Sequence, residues 1–232
     1  MFFLEQEILR LKLAEKSSNV EESPFGMDVY FNKHDHALKF AEACQNIVPI
    51  SHRTDSKKLT GQDSQNNVFK FRHTICLEIV PICKHDICII SKPLKSSLLG
   101  GGGKNGLILV EKIARNIHIR DLETGKLCEL QPSKFFAHPF RSMATSRELT
   151  EFMVLDVDDS VPENVLEVAR LKDFGENDTR FFVPTWSYFT GARKLESGDI
   201  VLGYDLTNFQ HDDISDYDVL PQAVLLKKKQ SD

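Results

Sequence analysis

The sequence predicts an α+β protein that is mostly β, with a β-α-β-β unit at its N-terminal end followed by two small β-barrels. Apolar residues recur at helical spacing in two segments before Pro49. A long stretch with apolar residues at every second position follows it, over 69–79. Short strand-like segments at hairpin spacing occupy most of the rest. The expected domains are therefore 1–85, 86–147 and 148–232.

The first segment predicts an amphipathic helix. Leu4, Ile8 and Leu11 recur at helical spacing, and charged residues between them rule out the apolar core of a signal peptide. Residues 17–24 are polar and end in a proline. This stretch predicts a linker.

A strand over 27–31 and a second helix are expected next. Asn32 is in position to cap that helix, and Asp35 lies three residues later, where a capping box places its acidic partner. Pro49 is expected to end the helix.

A polar strand and turn over 52–67 lead into the long alternating strand. Its apolar face contains the residues Phe69, Phe71, Ile75, Leu77 and Ile79. His73 is on the same face, which predicts a half-buried histidine, whereas Lys70 and Arg72 are on the other.

Nine short segments predict the two barrels. The first barrel would contain strands over 86–91, 107–113, 116–120 and 127–130, in a region that is expected to be all β. The second would contain strands over 151–157, 165–172, 179–183, 199–206 and 223–227. Five strands are the number that an OB-type barrel requires.

The composition is that of a globular protein without a metal or disulfide framework. Of 232 residues, 27% are charged, and no apolar run reaches the ~18 residues of a membrane span. We therefore expect no membrane partner. The five cysteines include no CxxC pair, so neither a structural metal site nor any other cofactor is expected in these residues.

Charge is divided unevenly along the chain. Residues 148–232 contain 18 Asp and Glu against 8 Lys and Arg, whereas residues 49–147 contain 16 basic against 8 acidic side chains. A basic region of this kind predicts contact with RNA phosphates, although ordinary solvated charge is the alternative. The candidate RNA-binding residues are Arg53, Lys57, Lys58, Lys70, Arg72, Arg115, Arg120, Lys126 and Arg141.

An enzyme is the competing class, but no catalytic residue is predicted. The glycine loop over 100–105 has Leu98 and Asn105 where a phosphate loop needs glycine and Ser or Thr. His34 and His36 lie two apart on a helix, so they do not face one metal. An acidic cluster remains as a magnesium alternative, namely Asp156, Asp158 and Asp159 with Asp212 and Asp213.

Several segments together resemble one family. They are FGMDVYFNKHDHALKFAEACQNIVP, EIVPICKHD, IHIRDLETGK, FFAHPFRSM, GDIVLGYDL and VLLKKK. They resemble the nonsense-mediated-decay-protein-three family, the nuclear export adaptors of the large (60S) ribosomal subunit.

The resemblance implies an SH3-like barrel followed by an OB-type barrel, similar to translation factor five A. It implies a monomeric, non-enzymatic ribosome biogenesis factor that shuttles between nucleus and cytoplasm. The implied partners are the intersubunit face of the large subunit, including rRNA, ribosomal proteins and the L1 stalk region, and an exportin. The family's zinc region and exportin-binding tail are expected to lie outside these residues. A translation-factor-like module on mature ribosomes remains an alternative.

Overall fold

A computed structural model describes residues 2–24, 26–63, 68–100, 106–158, 165–173, 180–184, 195–207 and 222–229. The chain divides into two compact units. The first comprises 1–81, 113–117 and 131–137, and the second comprises 82–112, 118–130 and 138–232. No helix in the described ranges has both the length and the apolar character needed to cross a bilayer.

The helices and strands are named in chain order. They are α1 Phe2–Arg10, β1 Ser17–Ser23, β2 Gly26–Phe31, α2 His34–Ile47, β3 Ile50–Asp63, β4 Val68–Ile79, β5 Ile87–Ile89, α3 Lys92–Leu99, β6 Leu107–Ile113, β7 Ile117–Asp121, β8 Leu127–Leu130, α4 Pro132–Ala137, β9 Ser142–Ala144, β10 Thr150–Asp158, β11 Val165–Arg170, β12 Arg180–Pro184, β13 Ile200–Asp205 and β14 Ala223–Lys228.

The first unit differs from the predicted β-α-β-β order by one strand. The linker expected over 17–24 is wrong, because β1 pairs antiparallel with β2. Val20 lies opposite Val29, and the Tyr30 hydroxyl donates a hydrogen bond of 3.1 Å to Glu21. This polar segment becomes a strand because β2 forms hydrogen bonds with its backbone. The composition of residues 17–24 does not reveal that pairing.

Helix α2 ends before Pro49 as predicted, but its start differs. Lys33 is the N-cap residue and makes no side-chain capping bond, so the capping box expected from Asn32 and Asp35 is wrong. Ala41 and Cys44 face the interior. Burial raises the pKa of the Cys44 thiol to about 11, which keeps it protonated at neutral pH.

The described residues of the second unit form two five-stranded sheets. Their strand orders are β8-β7-β6-β5-β9 and β12-β11-β10-β13-β14. The second sheet uses the five segments that were predicted as strands, and Cα atoms of its two edge strands come within 8 Å of each other. The sheet is therefore strongly curled.

The all-β prediction after residue 86 is wrong, because the chain forms α3 and α4 there. In α3, Ser91 is the N-cap, Pro93 is in the first turn, and Gly100 ends the helix with a φ of 72°. The first turn of a helix accommodates proline, and glycine readily adopts the left-handed conformation that ends a helix. These signals were present in the sequence.

The two sheets of the second unit share one apolar core. Ile87 and Leu109 of the first sheet pack in one cluster with Tyr204, Val224 and Leu226 of the second. The buried Tyr204 hydroxyl donates a hydrogen bond of 2.9 Å to the backbone oxygen of His85. Burial raises the pKa of Tyr204, so the phenol stays neutral and keeps this bond. The SH3-like type of the first sheet and the boundary at 147/148 stay predictions.

Candidate nucleic-acid interface

Strands β3 and β4 form a long two-stranded ribbon. Their register runs from Ile50 opposite Ile79 to Asp63 opposite Val68, with irregularities after Ile50 and Leu59. Within the described residues, neither strand pairs with any other strand. Because side chains alternate between faces, the ribbon presents two surfaces of different character.

One surface is basic. Lys58 lies directly opposite Arg72, and Lys70 is two residues from Arg72 on the same face. All three side chains are exposed, and none of them makes an ion pair within the described part of the chain. We call Lys58, Lys70 and Arg72 the basic face. Like charges directly opposite one another destabilise a strand pair, and a bound anion would remove that cost.

The neighbours of the basic face leave its cations accessible. Gly61 lies opposite Lys70, so no side chain stands beside that ammonium on β3. The Arg72 guanidinium lies 6.0 Å from the centre of the Tyr30 ring, a cation–π contact that orients it. Tyr30 is a positioning residue that the sequence analysis missed.

The opposite surface is aromatic. Leu59 lies opposite Phe71, and Phe69 is two residues before Phe71 in β4. These three side chains are 45–48% exposed. We call Leu59, Phe69 and Phe71 the aromatic tip. The Lys57 ammonium lies 3.9 Å from the centre of the Phe71 ring.

The expected burial of the alternating strand is only partly confirmed. Ile75, Leu77 and Ile79 are partly buried, but Phe69 and Phe71 are not, and His73 is exposed, with its ring 4.3 Å from that of His34. The prediction of a half-buried histidine is wrong. The strand extends beyond its apolar cover, so its alternation continues where the described residues provide no core.

The register separates two neighbouring candidate residues. Lys58 is on the basic face, whereas Lys57 is on the opposite surface with Phe71. The backbone of Arg53 pairs with that of Leu77. Two neighbouring candidate phosphate contacts, Lys57 and Lys58, therefore lie on different surfaces of the ribbon.

The candidate residues of the first barrel are in different settings. The Arg120 guanidinium binds both carboxylate oxygens of Glu111 at 3.0 to 3.2 Å and also the Gly125 oxygen at 3.2 Å. The Lys126 ammonium lies 3.4 Å from the Leu99 oxygen, at the end of α3. Arg115 and Arg141 are exposed. Arg120 thus stabilises its own hairpin, while Arg115 and Arg141 present their charge to solvent.

The described residues do not bring together the groups of the alternative metal and phosphate sites. The described residues contain no group of three or more His, Cys, Asp or Glu side chains placed to hold a metal ion. Asp156 is exposed, and Asp158 ends β10. Asp159, Asp212, Asp213 and residues 101–105 of the glycine loop lie outside the described residues.

Models of known protein families match two regions of the chain. A family model described as "NMD3, second domain" matches residues 1–79, which include the β3–β4 ribbon. A model described as "NMD3 OB-fold domain" matches residues 149–228, which span β10 to β14. The OB-type prediction is thereby confirmed.

Comparison with curated proteins finds similar relatives. The 60S ribosomal export protein NMD3 of Saccharomyces cerevisiae is 33% identical over 236 residues, covering 97% of this chain and 44% of the relative. The protein of the same name from Dictyostelium discoideum is 31% identical over 237 residues, covering 97% and 43%. That from Homo sapiens is 29% identical over 247 residues, covering 98% and 47%. The chain spans a little under half the length of these relatives.

Proposed function

The chain belongs to the NMD3 family, and we propose that it is the part of a 60S export adaptor that docks on the large ribosomal subunit. The observation that carries the proposal is the basic face, with Lys58 opposite Arg72 and Lys70 beside them. Three exposed cations that make no ion pair among the described residues suit the phosphates of folded rRNA. Contact with phosphates and not with bases at this face fits a protein that recognises the shape of its cargo.

The long ribbon supports a docking role for geometric reasons. Its strands contain 14 and 12 residues, and a strand residue advances about 3.3 Å. A narrow ribbon can reach between RNA helices where a globular domain cannot. Of the other candidates, we propose Arg115 and Arg141 as further phosphate contacts because their side chains are exposed. Arg120 and Lys126, whose partners are internal, would stabilise the hairpin that precedes α4.

We further propose the remaining roles that the family implies. The whole protein would shuttle between nucleus and cytoplasm, contact the L1 stalk region and recruit an exportin. It would act as a monomer, and without catalysis. The acidic region from residue 148 onward, with 18 Asp and Glu, would contact a basic ribosomal protein and not rRNA. Crosslinks from that region mainly to rRNA would contradict this part of the proposal.

The test of docking reverses the charge of the basic face. The triple variant Lys58→Glu, Lys70→Glu, Arg72→Glu should bind purified large subunits more weakly. The slope of log affinity against log salt should flatten by roughly 0.7 to 0.9 for each lost phosphate contact. Affinity is measured by co-sedimentation at several salt concentrations, and folding by circular dichroism.

A matched variant controls for net charge. Lys12→Glu, Lys39→Glu, Lys172→Glu makes the same change in net charge at three exposed lysines outside the ribbon. If both triple variants lose the same affinity, long-range charge and not the ribbon explains binding. If the basic-face variant binds with unchanged affinity and slope, docking through this face is refuted.

A further inference from the structure

We propose that the aromatic tip stacks on unpaired RNA bases, so that the ribbon binds single-stranded or bulged nucleotides on one surface and phosphates on the other. This inference rests on the proposed function, since it names the RNA element that the same ribbon contacts. Its starting point is the exposure of Phe69 and Phe71, each nearly half accessible on a strand whose sequence alternates aromatic and basic residues. Phenylalanine is usually buried, so two such rings side by side call for an explanation.

The geometry of the two rings suits successive bases. Their centroids are 6.5 Å apart and their planes differ by 29°. Alternate residues of one strand hold them at this spacing, about twice the 3.3 Å advance per residue. Bases of a single strand that are splayed apart stack individually on aromatic side chains in this way.

The charge around the rings selects a nucleotide over an apolar protein partner. Lys57 lies over the Phe71 ring. Lys58 precedes Leu59 in the sequence, and Lys70 lies between Phe69 and Phe71. An apolar groove on a protein would have to desolvate the Lys57 ammonium without compensation. A nucleotide satisfies both groups, because its base stacks on the ring while its phosphate pairs with the ammonium.

The basic face and the aromatic tip fit the same kind of RNA element. Duplex RNA offers phosphates but keeps its bases stacked inside the helix. A junction, bulge or loop offers phosphates and free bases together. The ribbon thus matches the margin of a helix, where paired and unpaired nucleotides meet.

The first experiment compares single-stranded with duplex RNA. The full 232-residue chain is titrated against labelled oligouridine of about 12 nucleotides and against an RNA duplex of similar length, with fluorescence anisotropy as the readout. Phe69→Ala and Phe71→Ala should each weaken oligouridine binding by roughly 5- to 150-fold, which is the range that stacking of one base supports. Duplex binding and the salt dependence should not change.

Two further variants make the result specific to rings. Leu59→Ala removes a similarly exposed apolar side chain from the same tip, and we expect a change below about threefold. Phe71→Tyr keeps the ring and should bind like the original chain. If Leu59→Ala costs as much as Phe71→Ala, or if neither phenylalanine variant loses affinity for oligouridine, the stacking inference is overturned.

The outcome separates this inference from the proposed function. If the basic-face variant loses affinity and salt dependence while both phenylalanine variants bind normally, only stacking fails. If none of these variants changes RNA binding, the docking proposal fails with it.

A second experiment identifies what the tip touches on the ribosome itself. A photoreactive benzoylphenylalanine replaces Phe69, and the complex with the large subunit is irradiated. Crosslinks to unpaired rRNA nucleotides are expected. Crosslinks mainly to a ribosomal protein would overturn the inference and identify the tip as a protein contact.

Discussion

The β3–β4 ribbon and the OB sheet treat their positive charges in opposite ways. Among the described residues of the OB sheet, Arg170, Arg180, Lys228 and Lys229 pair with carboxylates of the same sheet or its margins, and Lys227 is the exception. In the ribbon, two cations face each other across the strands. A sheet that neutralises most of its cations stabilises itself, whereas one that leaves like charges exposed and facing each other is suited to an external anion.

The two regions also differ in how they are held. Phe152 and Phe181 meet edge to face in the OB core, with ring centroids 5.9 Å apart, and both are almost fully buried. Within the described ranges, the ribbon consists of two strands and carries an exposed aromatic tip. Two strands alone are marginally stable in water, so the ribbon depends on what covers it. The OB sheet provides stability, and the ribbon provides surface.

Replacing one phenylalanine by alanine in each region should give the largest difference in the free energy of unfolding. Phe152→Ala should lower the free energy of unfolding by about 3 to 5 kcal/mol, because it leaves a cavity in a packed core. Phe71→Ala should lower it by less than about 1 kcal/mol, because the ring is half exposed. Urea unfolding followed by circular dichroism measures both. Equal losses would mean that the tip is part of a core.

Removal of a single tyrosine hydroxyl should have an intermediate effect. Tyr204→Phe leaves the backbone oxygen of the partly buried His85 without its tyrosine partner and should cost about 1 to 3 kcal/mol. Tyr30→Phe is the control, since its hydroxyl bonds the exposed Glu21 and water replaces it at little cost. The same unfolding measurement applies. A neutral Tyr204→Phe variant would show that this bond does not hold the core together.

A single charge reversal on the ribbon should raise stability while it weakens binding. Lys58→Glu replaces a like-charged cross-strand pair with an attractive one opposite Arg72, which is worth about 0.2 to 1 kcal/mol. Affinity for the large subunit should fall at the same time. Stability is read from the melting temperature and affinity from co-sedimentation. A variant that loses both would indicate that Lys58 has a structural role.

Chelation should have the smallest effect. No CxxC pair occurs in the sequence, so we predict that an excess of EDTA leaves the melting temperature unchanged. Differential scanning fluorimetry measures it. A drop of many degrees would reveal a structural metal and contradict the prediction.

Local pattern predicted much of the fold. Helices α1 and α2 and the long strand over 69–79 follow from the period of the apolar residues, and the five OB strands follow from short strand-like segments. Strand β1 and helix α3 were missed for different reasons. Ser17–Ser23 contains one apolar residue and is a strand only because β2 lies beside it. The start and end signals of α3 were readable, but β-like spacing around it outweighed them.

The candidate site divides in the same way. By itself, the sequence determined that basic and aromatic residues alternate along β4 and that positive charge is concentrated in 49–147. Only the tertiary structure decided that Lys58 faces Arg72, that Lys57 lies over Phe71, that Tyr30 orients Arg72 and that Arg120 is held by Glu111. Periodicity is a property of neighbouring residues, so a sequence displays it directly. Register and burial depend on pairing between distant segments, whose free energies come from the whole assembled structure.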